Sequence, residues 1–271
     1  MINEYILDID KGLQNILSSV RNNYPEQLYK SMEYALFPGG KRIRPYLCFI
    51  VADFVGVDKQ IIKPLALSIE LIHSYSLIHD DLPCMDNDLI RRGKPSCHAQ
   101  FGEAMALLTG DALLNLAYEV LIRAIKENDD LIDSASIIAE KAGGIGMVGG
   151  QAIEFSFDEF NEELITDLYM HKTGALIAAA VNSVSILCGD RRKISALSTY
   201  ADALGLSFQL TDDIIDKDKG EEKSYLGVMG IEKTISMRDR LLVLIQKTLY
   251  SYGDEAKELL DFADLLSKRD K

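Results

Sequence analysis

At 271 residues the chain is long enough for one large domain, and 48% apolar residues supply a sizeable core. A formal charge of −13 and a pI near 4.8 exclude nucleic acid as a partner, because that affinity comes mainly from cations on phosphates. Cys48, Cys84, Cys97 and Cys188 are scattered with no C-x-x-C, which predicts reduced thiols in a cytoplasmic protein and no disulfide framework.

The N-terminal stretch from Met1 to Asp10 is acidic and amphipathic, unlike a signal or transit peptide, and no window reaches the apolar length that a membrane span requires. No Pro/Ser/Gly-rich linker or shift in composition divides the sequence, so a single domain over 1–271 is expected. Long stretches of 3.6-residue period and few alternating β-branched runs predict an all-α fold.

Residues near 3–21 and 25–36 read as amphipathic helices, the second broken by Phe37-Pro38-Gly39-Gly40. Lys41-Arg42-Ile43-Arg44-Pro45 then puts three cations in four positions at the start of an apolar helix running to about Val55. Such a cluster is either a basic turn balancing an acidic protein or an anion site of diphosphate type. Pro64 to His79 reads as one helix with Pro in its first turn. On it Ile69, His73, Ser76 and Asp80 share a face, so a histidine and a carboxylate stand two turns apart.

Asp80, Asp81, Asp86 and Asp88 follow within nine positions, with Pro83 ending the helix. A second basic cluster, Arg91-Arg92-Gly93-Lys94, comes next, then His98 and a helix from about His98 to Lys126 that tolerates Gly110. Another helix runs from Leu131 towards Met147. Gly144-Ile-Gly146-Met-Val-Gly149 matches a dinucleotide fingerprint by letter, but no strand precedes it, so the glycines serve close helix packing or a helix break. Residues 161–187 read as a helix carrying His171-Lys172-Thr173, and 191–217 as a helix carrying Gln209 and ending in Asp212-Asp213-Ile-Ile-Asp216. Two amphipathic helices near 229–250 and 253–268 complete the chain.

Carboxylates held this close repel, and some protonate unless a cation stands among them. Hard oxygen donors without a zinc-type Cys/His set favour Mg2+, which takes its remaining ligands from water and substrate phosphate. A solvated acidic helix end is the plain alternative for either run alone. Its recurrence, with Asp212 and Asp216 at i and i+4 at the end of a second apolar helix, argues for the metal.

With Gly39-Gly-Lys-Arg-Ile-Arg-Pro45, Asp80-Asp-Leu-Pro-Cys-Met-Asp86, Arg91-Arg-Gly-Lys-Pro95, Lys172-Thr173 and Gln209-Leu-Thr-Asp-Asp-Ile-Ile-Asp216 in one order, the chain resembles the trans-prenyl diphosphate synthases. Within them it is most similar to the bacterial farnesyl diphosphate synthases. The match runs from about residue 20 to Asp216 and resumes weakly over Phe262 to Arg269. The resemblance implies an isoprenoid-synthase-type helical bundle, usually a homodimer, with the two acidic motifs facing each other across a deep cavity. Asp80, Asp81 and Asp86 on one wall and Asp212, Asp213 and Asp216 on the other are then expected to hold Mg2+ on an allylic diphosphate, with Arg91, Lys172, Thr173 and Gln209 contributing to that site. Lys41, Arg44, His73 and Arg92 match positions that bind isopentenyl diphosphate, with His98 nearby. Ionisation of the allylic C–O bond, attack by the isopentenyl double bond and loss of a proton to the departed diphosphate follow as the implied chemistry. Tyr75 and Ser76, five and four residues before Asp80, fall at the implied floor of the product cavity. Helical period favours Ser76, the resemblance Tyr75, as the group that limits the product to farnesyl diphosphate.

Three positions depart from the pattern. Glu154 stands where an Asp is usual, Leu89 replaces an acid after Asp88, and the glycine-lysine lid segment after Asp216 is missing. Of Lys217, Lys219 and Lys223, with Glu221 and Glu222 among them, Lys223 best matches a later lysine of the pattern. A class I terpene cyclase and a non-catalytic or low-activity homologue acting as a regulatory partner are the alternative readings. The basic clusters argue against the first, and the six motif aspartates against the second.

Overall fold

A computed structural model describes residues 2–219 and 223–269; Glu221, Glu222 and the side chain of Lys219 lie outside the described residues. Among the described residues the fold is all-α apart from one minimal hairpin, as the periodicity predicts. Two compact units emerge, one formed by the described residues up to Phe49 with Gln60–Leu131, the other by Ile50–Lys59 with those from Ile132 onward.

The first unit contains α1 (Ile2–Val20), α2 (Glu26–Leu36), the first half of α3 (Ile43–Val55), nearly all of α4 (Lys59–Asp80), the strands β1 (Ile90–Arg91) and β2 (Lys94–Pro95), α5 (Cys97–Phe101) and α6 (Glu103–Glu127). Apolar residues at helical spacing build its core: Ile9, Leu13 and Leu17 on α1, Ile62, Leu65, Ile69 and Ile72 on α4, and Leu113, Leu116 and Ala117 on α6 are all buried. Polar pairs fix the register of these helices, with Ser31 Oγ 2.6 Å from Thr109 Oγ1 and Ser68 Oγ donating to the Ala117 carbonyl at 3.1 Å.

The second unit is organised on α11 (Arg191–Ile215), against which α10 (Ala175–Ser185), α13 (Ile231–Leu249) and α14 (Lys257–Ser267) pack. Asp190 caps α11, its carboxylate accepting from the Arg192 and Lys193 amides. Around it stand α7 (Ile132–Ala142), α8 (Met147–Ser156), α9 (Glu162–Tyr169) and α12 (Tyr225–Met229).

Several expected boundaries move. The α4 helix begins at Lys59, so Pro64 lies inside it and removes one backbone hydrogen bond instead of opening the first turn. Gly102, with φ 85°, divides the helix expected from His98 to Lys126. The helix expected from Leu131 to Met147 ends at Ala142, and the glycine run forms a turn before α8, so the element ahead of the fingerprint letters is a helix. Residues 161–187 are interrupted by a π turn at Met170–Gly174. Two helices, α4 and α6, match a membrane span in length and mean hydropathy, contrary to the expectation from uninterrupted runs; 67% of the α4 window is packed inside the protein.

Candidate active site

Both acidic motifs stand at helix C-termini, α4 and α11, where the backbone dipole is negative and a carboxylate is least favoured. Each needs positive charge, and the structure supplies it differently in the two units.

In the first unit Asp80 is half-buried, Asp86 exposed and Asp81 only 2% exposed. The Arg91 guanidinium meets the Asp81 carboxylate, with Nε 2.9 Å from Oδ1, and reaches Asp88 at 3.2 Å. Burial pushes the Asp81 carboxyl up, while this guanidinium pulls it down. Arg91 is aimed by the hairpin, in which Ile90 pairs with Pro95 and Arg91 with Lys94 around Arg92-Gly93. Both turn residues have positive φ, 55° and 75°, as a two-residue hairpin of primed type requires. Lys94 anchors the hairpin to the end of α2, donating to the Tyr34 and Phe37 carbonyls at 2.5 and 2.8 Å. Lys94 therefore does structural work within the basic cluster.

The glycines before Lys41 explain themselves by what approaches them. A Cβ on Gly39 would stand 2.1 Å from the Arg42 guanidinium, and one on Gly40 2.9 Å from that of Arg92. Arg42 is buried, donating to Asp10 at 2.9 Å, Glu70 at 2.6 Å and the Leu36 carbonyl at 2.9 Å. It is a structural arginine, whereas Lys41 and Arg92 are exposed and Arg44 half-buried. Arg44 Nη1 lies 3.2 Å from His73 Nε2. A guanidinium only donates, so this nitrogen accepts and the imidazole is neutral. Burial, then Arg44, Arg92, Arg42 and Arg91, hold the His73 pKa well below its ordinary range. Ser74, Ile78, Asp81, Arg91 and Arg92 line one cleft, which joins the acidic motif to the basic cluster inside this unit. His98 is buried, with Nδ1 3.0 Å from Ser96 Oγ. Tyr75 is 6% exposed, its ring edge-on to His79 at 5.7 Å, and burial raises its pKa to about 12. Ser76 Oγ turns back to the His73 carbonyl at 3.0 Å.

In the second unit Asp212 and Asp216 are half-buried and Asp213 is buried. Asp212 meets the guanidinium of Arg269, which also stacks on Phe208 at 3.7 Å. Asp213 accepts from the Tyr169 hydroxyl, 2.8 Å from either carboxylate oxygen, and from the Leu226 amide at 3.2 Å. In each motif the second aspartate is thus the buried one, held by a protein donor. Lys172 and Thr173 lie on the π turn, a distortion frequent at functional sites. Thr173 Oγ1 donates to Gln209 Oε1 at 2.8 Å, and Lys172 Nζ to Glu154 Oε2 at 2.5 Å. Lys223 is exposed and donates to the Glu154 and Phe157 carbonyls at 3.3 and 3.1 Å, which places it on the end of α8. Sequence reasoning named Arg42 only within the basic cluster and Arg269 only within the weak C-terminal match, and it did not find Tyr169; the carboxylates they meet are distant in the chain.

Among the described residues no three His, Cys, Asp or Glu side chains form a ready-made metal cage. The partly exposed carboxylates, Asp80 and Asp86 in the first unit and Asp212 and Asp216 in the second, are hard oxygen donors, while His79 beside Asp80 turns its Nε2 to the Leu107 carbonyl. Mg2+ binds through one or two carboxylates with waters and substrate phosphate, so this sparse set fits Mg2+ on a diphosphate and does not fit zinc.

Residues 25–227 match the polyprenyl synthetase family. The chain is 37% identical to a geranylgeranyl diphosphate synthase of Cyanophora paradoxa, over 93% of this chain and 90% of that protein. Identity to a farnesyl diphosphate synthase of Escherichia coli K12 is also 37%, covering 89% of each. Among solved structures, a geranyltransferase from Legionella pneumophila superposes with a TM-score of 0.90 at 33% identity, over 99% of this chain and 96% of that one.

Proposed function

The chain belongs to the polyprenyl synthetase family and is a short-chain trans-prenyltransferase, and on that premise we propose that it condenses isopentenyl diphosphate with dimethylallyl and then geranyl diphosphate, stopping at farnesyl diphosphate. The observation that carries the two-substrate reading is the group of guanidiniums about neutral His73, a second anion site that a cyclase acting on one diphosphate does not need. Lys41, Arg44 and Arg92 bind the isopentenyl diphosphate there. Lys172, with Thr173 and Gln209, binds the allylic diphosphate.

Polyprenyl synthetases use Mg2+ through aspartate-rich motifs; here Asp80 and Asp86 of the one motif, with Asp81 behind them, and Asp212 and Asp216 of the other, with Asp213 behind them, would each hold it, and when bound it would neutralise charge on the leaving group. The protein's own cations orient both diphosphates and stabilise the charge that develops as the allylic C–O bond breaks. The isopentenyl double bond then forms the new C–C bond, and the proton lost from the adduct passes to the departed diphosphate. The reaction requires that water, which would capture the cation, be kept from the site.

Product length is the finer part of the reading. The relatives' names divide between geranylgeranyl and farnesyl diphosphate synthases, and buried Tyr75, one ring above His79, supports the shorter product. We take the protein to act in the cytoplasm as a homodimer, a reading supported by its unpaired cysteines and by exposed Leu107, Leu108 and Ile122 on α6. Incubation with isopentenyl diphosphate and dimethylallyl, geranyl or farnesyl diphosphate in turn, with chromatographic sizing, tests the proposal. Farnesyl diphosphate should accumulate from the first two starters, and Tyr75→Ala should lengthen the product. Geranylgeranyl diphosphate from the wild type would overturn the assignment of length.

A further inference from the structure

The carboxylate of Asp213 has a more specific employment than charge in an acidic motif. It is buried and bonded to Tyr169, a member of the core cluster of Ile165, Leu168, Tyr169, Leu206, Leu210 and Tyr225. The Tyr169 hydroxyl donates to it, and that same hydroxyl accepts from the Tyr225 amide at 3.0 Å, while the Leu226 amide reaches Asp213 directly. Two consecutive amides at the start of α12 are therefore fixed by one tyrosine–aspartate pair. The attachment continues on both sides, with Ser224 capping α12 through Gly227 N at 2.9 Å and the Tyr225 hydroxyl donating to Glu162 at 2.8 Å. Two residues before Tyr225, Lys223 caps the carbonyls at the end of α8, and Glu154 on that same turn holds Lys172.

We propose that Asp213 is a positioning residue: with Tyr169 it pins the segment Lys223–Met229, and through Lys223 and Glu154 that segment sets where Lys172 presents its ammonium. The effect on Lys172 rests on the proposed function, since only that reading gives Lys172 a diphosphate to meet. The attachment itself does not. The anchor ties the start of α12 to the end of α11 that carries the acids.

The test uses the whole protein as Tyr169→Phe, Asp213→Asn and the double variant. Tyr169→Phe removes the hydroxyl that donates to Asp213 and accepts from the Tyr225 amide, and Asp213→Asn removes the charge that this hydroxyl and the Leu226 amide meet, so kcat/KM for the allylic diphosphate should fall about tenfold in each. KM for isopentenyl diphosphate should stay unchanged, and the double variant should lose no more than either single one. Trypsin should cut after Lys223 faster in all three, and calorimetry with Mg2+ and inorganic diphosphate should show the same affinity change in both single variants. The inference is overturned if Asp213→Asn weakens Mg2+-dependent diphosphate binding far more than Tyr169→Phe, which would make Asp213 a metal ligand. It is equally overturned if the two losses add, or if neither kinetics nor cleavage moves. Should the wild type show no turnover, the proposed function fails, while the calorimetric and proteolytic comparisons still decide the anchor.

Discussion

A guanidinium taken out of water must be met by acceptors, and Arg42 finds Asp10, Glu70 and the Leu36 carbonyl. Arg42→Met should lower the unfolding free energy by about 3–5 kcal/mol, because Glu70, 2% exposed, is left as an uncompensated buried charge. Urea unfolding checks this; Arg92→Ala, at an exposed position, should instead raise KM for isopentenyl diphosphate and leave the unfolding midpoint in place. In the sequence Lys41, Arg42 and Arg44 look interchangeable. Their difference was not legible because the carboxylates that Arg42 meets lie 32 and 28 residues away, beyond any local pattern. Asp80 was legible, since a run of carboxylates at a helix C-terminus has no local stabilisation and so signals a missing cation. Asp80→Ala should lower turnover by orders of magnitude with the circular dichroism unchanged, and excess chelator should abolish wild-type turnover; full activity in chelator would refute Mg2+ dependence.

At the scale of elements, long amphipathic helices were readable because their period repeats over many turns. Short pieces were not: β1 and β2 are two residues each and α12 is five, too short for any period to show, and all three are fixed by tertiary hydrogen bonds. The π turn was hidden for a similar reason, since its cause is packing. A Cβ on Gly150 of α8 would stand 2.2 Å from the Lys172 amide nitrogen and 2.6 Å from its Cα, so backbone meets backbone at that point. Gly150→Ala should force α8 off the π turn, costing at least the 1–3 kcal/mol typical of overpacking. It should also reduce kcat/KM for the allylic diphosphate more than for isopentenyl diphosphate. A thermal melt with kinetics for both substrates measures it; a midpoint equal to that of the wild type would show that α8 accommodates the methyl group.

For the whole molecule, the ordered motifs were legible while their division between two compact units was not, because no shift in composition marks any of the three crossings between the units. Global charge was a poor guide to local charge. A protein of net charge −13 nevertheless gathers Arg42, Arg44, Arg91 and Arg92 about one imidazole. This has a consequence for global stability. In the folded state His73 is held well below the ordinary imidazole value of about 6.5, by burial first and then by these four guanidiniums, whereas in the unfolded chain it titrates near that value. Below about pH 6.5 the unfolded state therefore binds more protons than the folded one, and stability must fall as pH falls, with a slope of at most about 1.4 kcal/mol per pH unit from this group. Above that pH the imidazole is neutral in both states and contributes no slope. Denaturant unfolding between pH 7.5 and 5.5, before most carboxylates begin to titrate, should show the decline. His73→Gln, which keeps an acceptor for Arg44 but has no proton to gain, should flatten it; an unchanged slope in that variant would place the titrating group elsewhere.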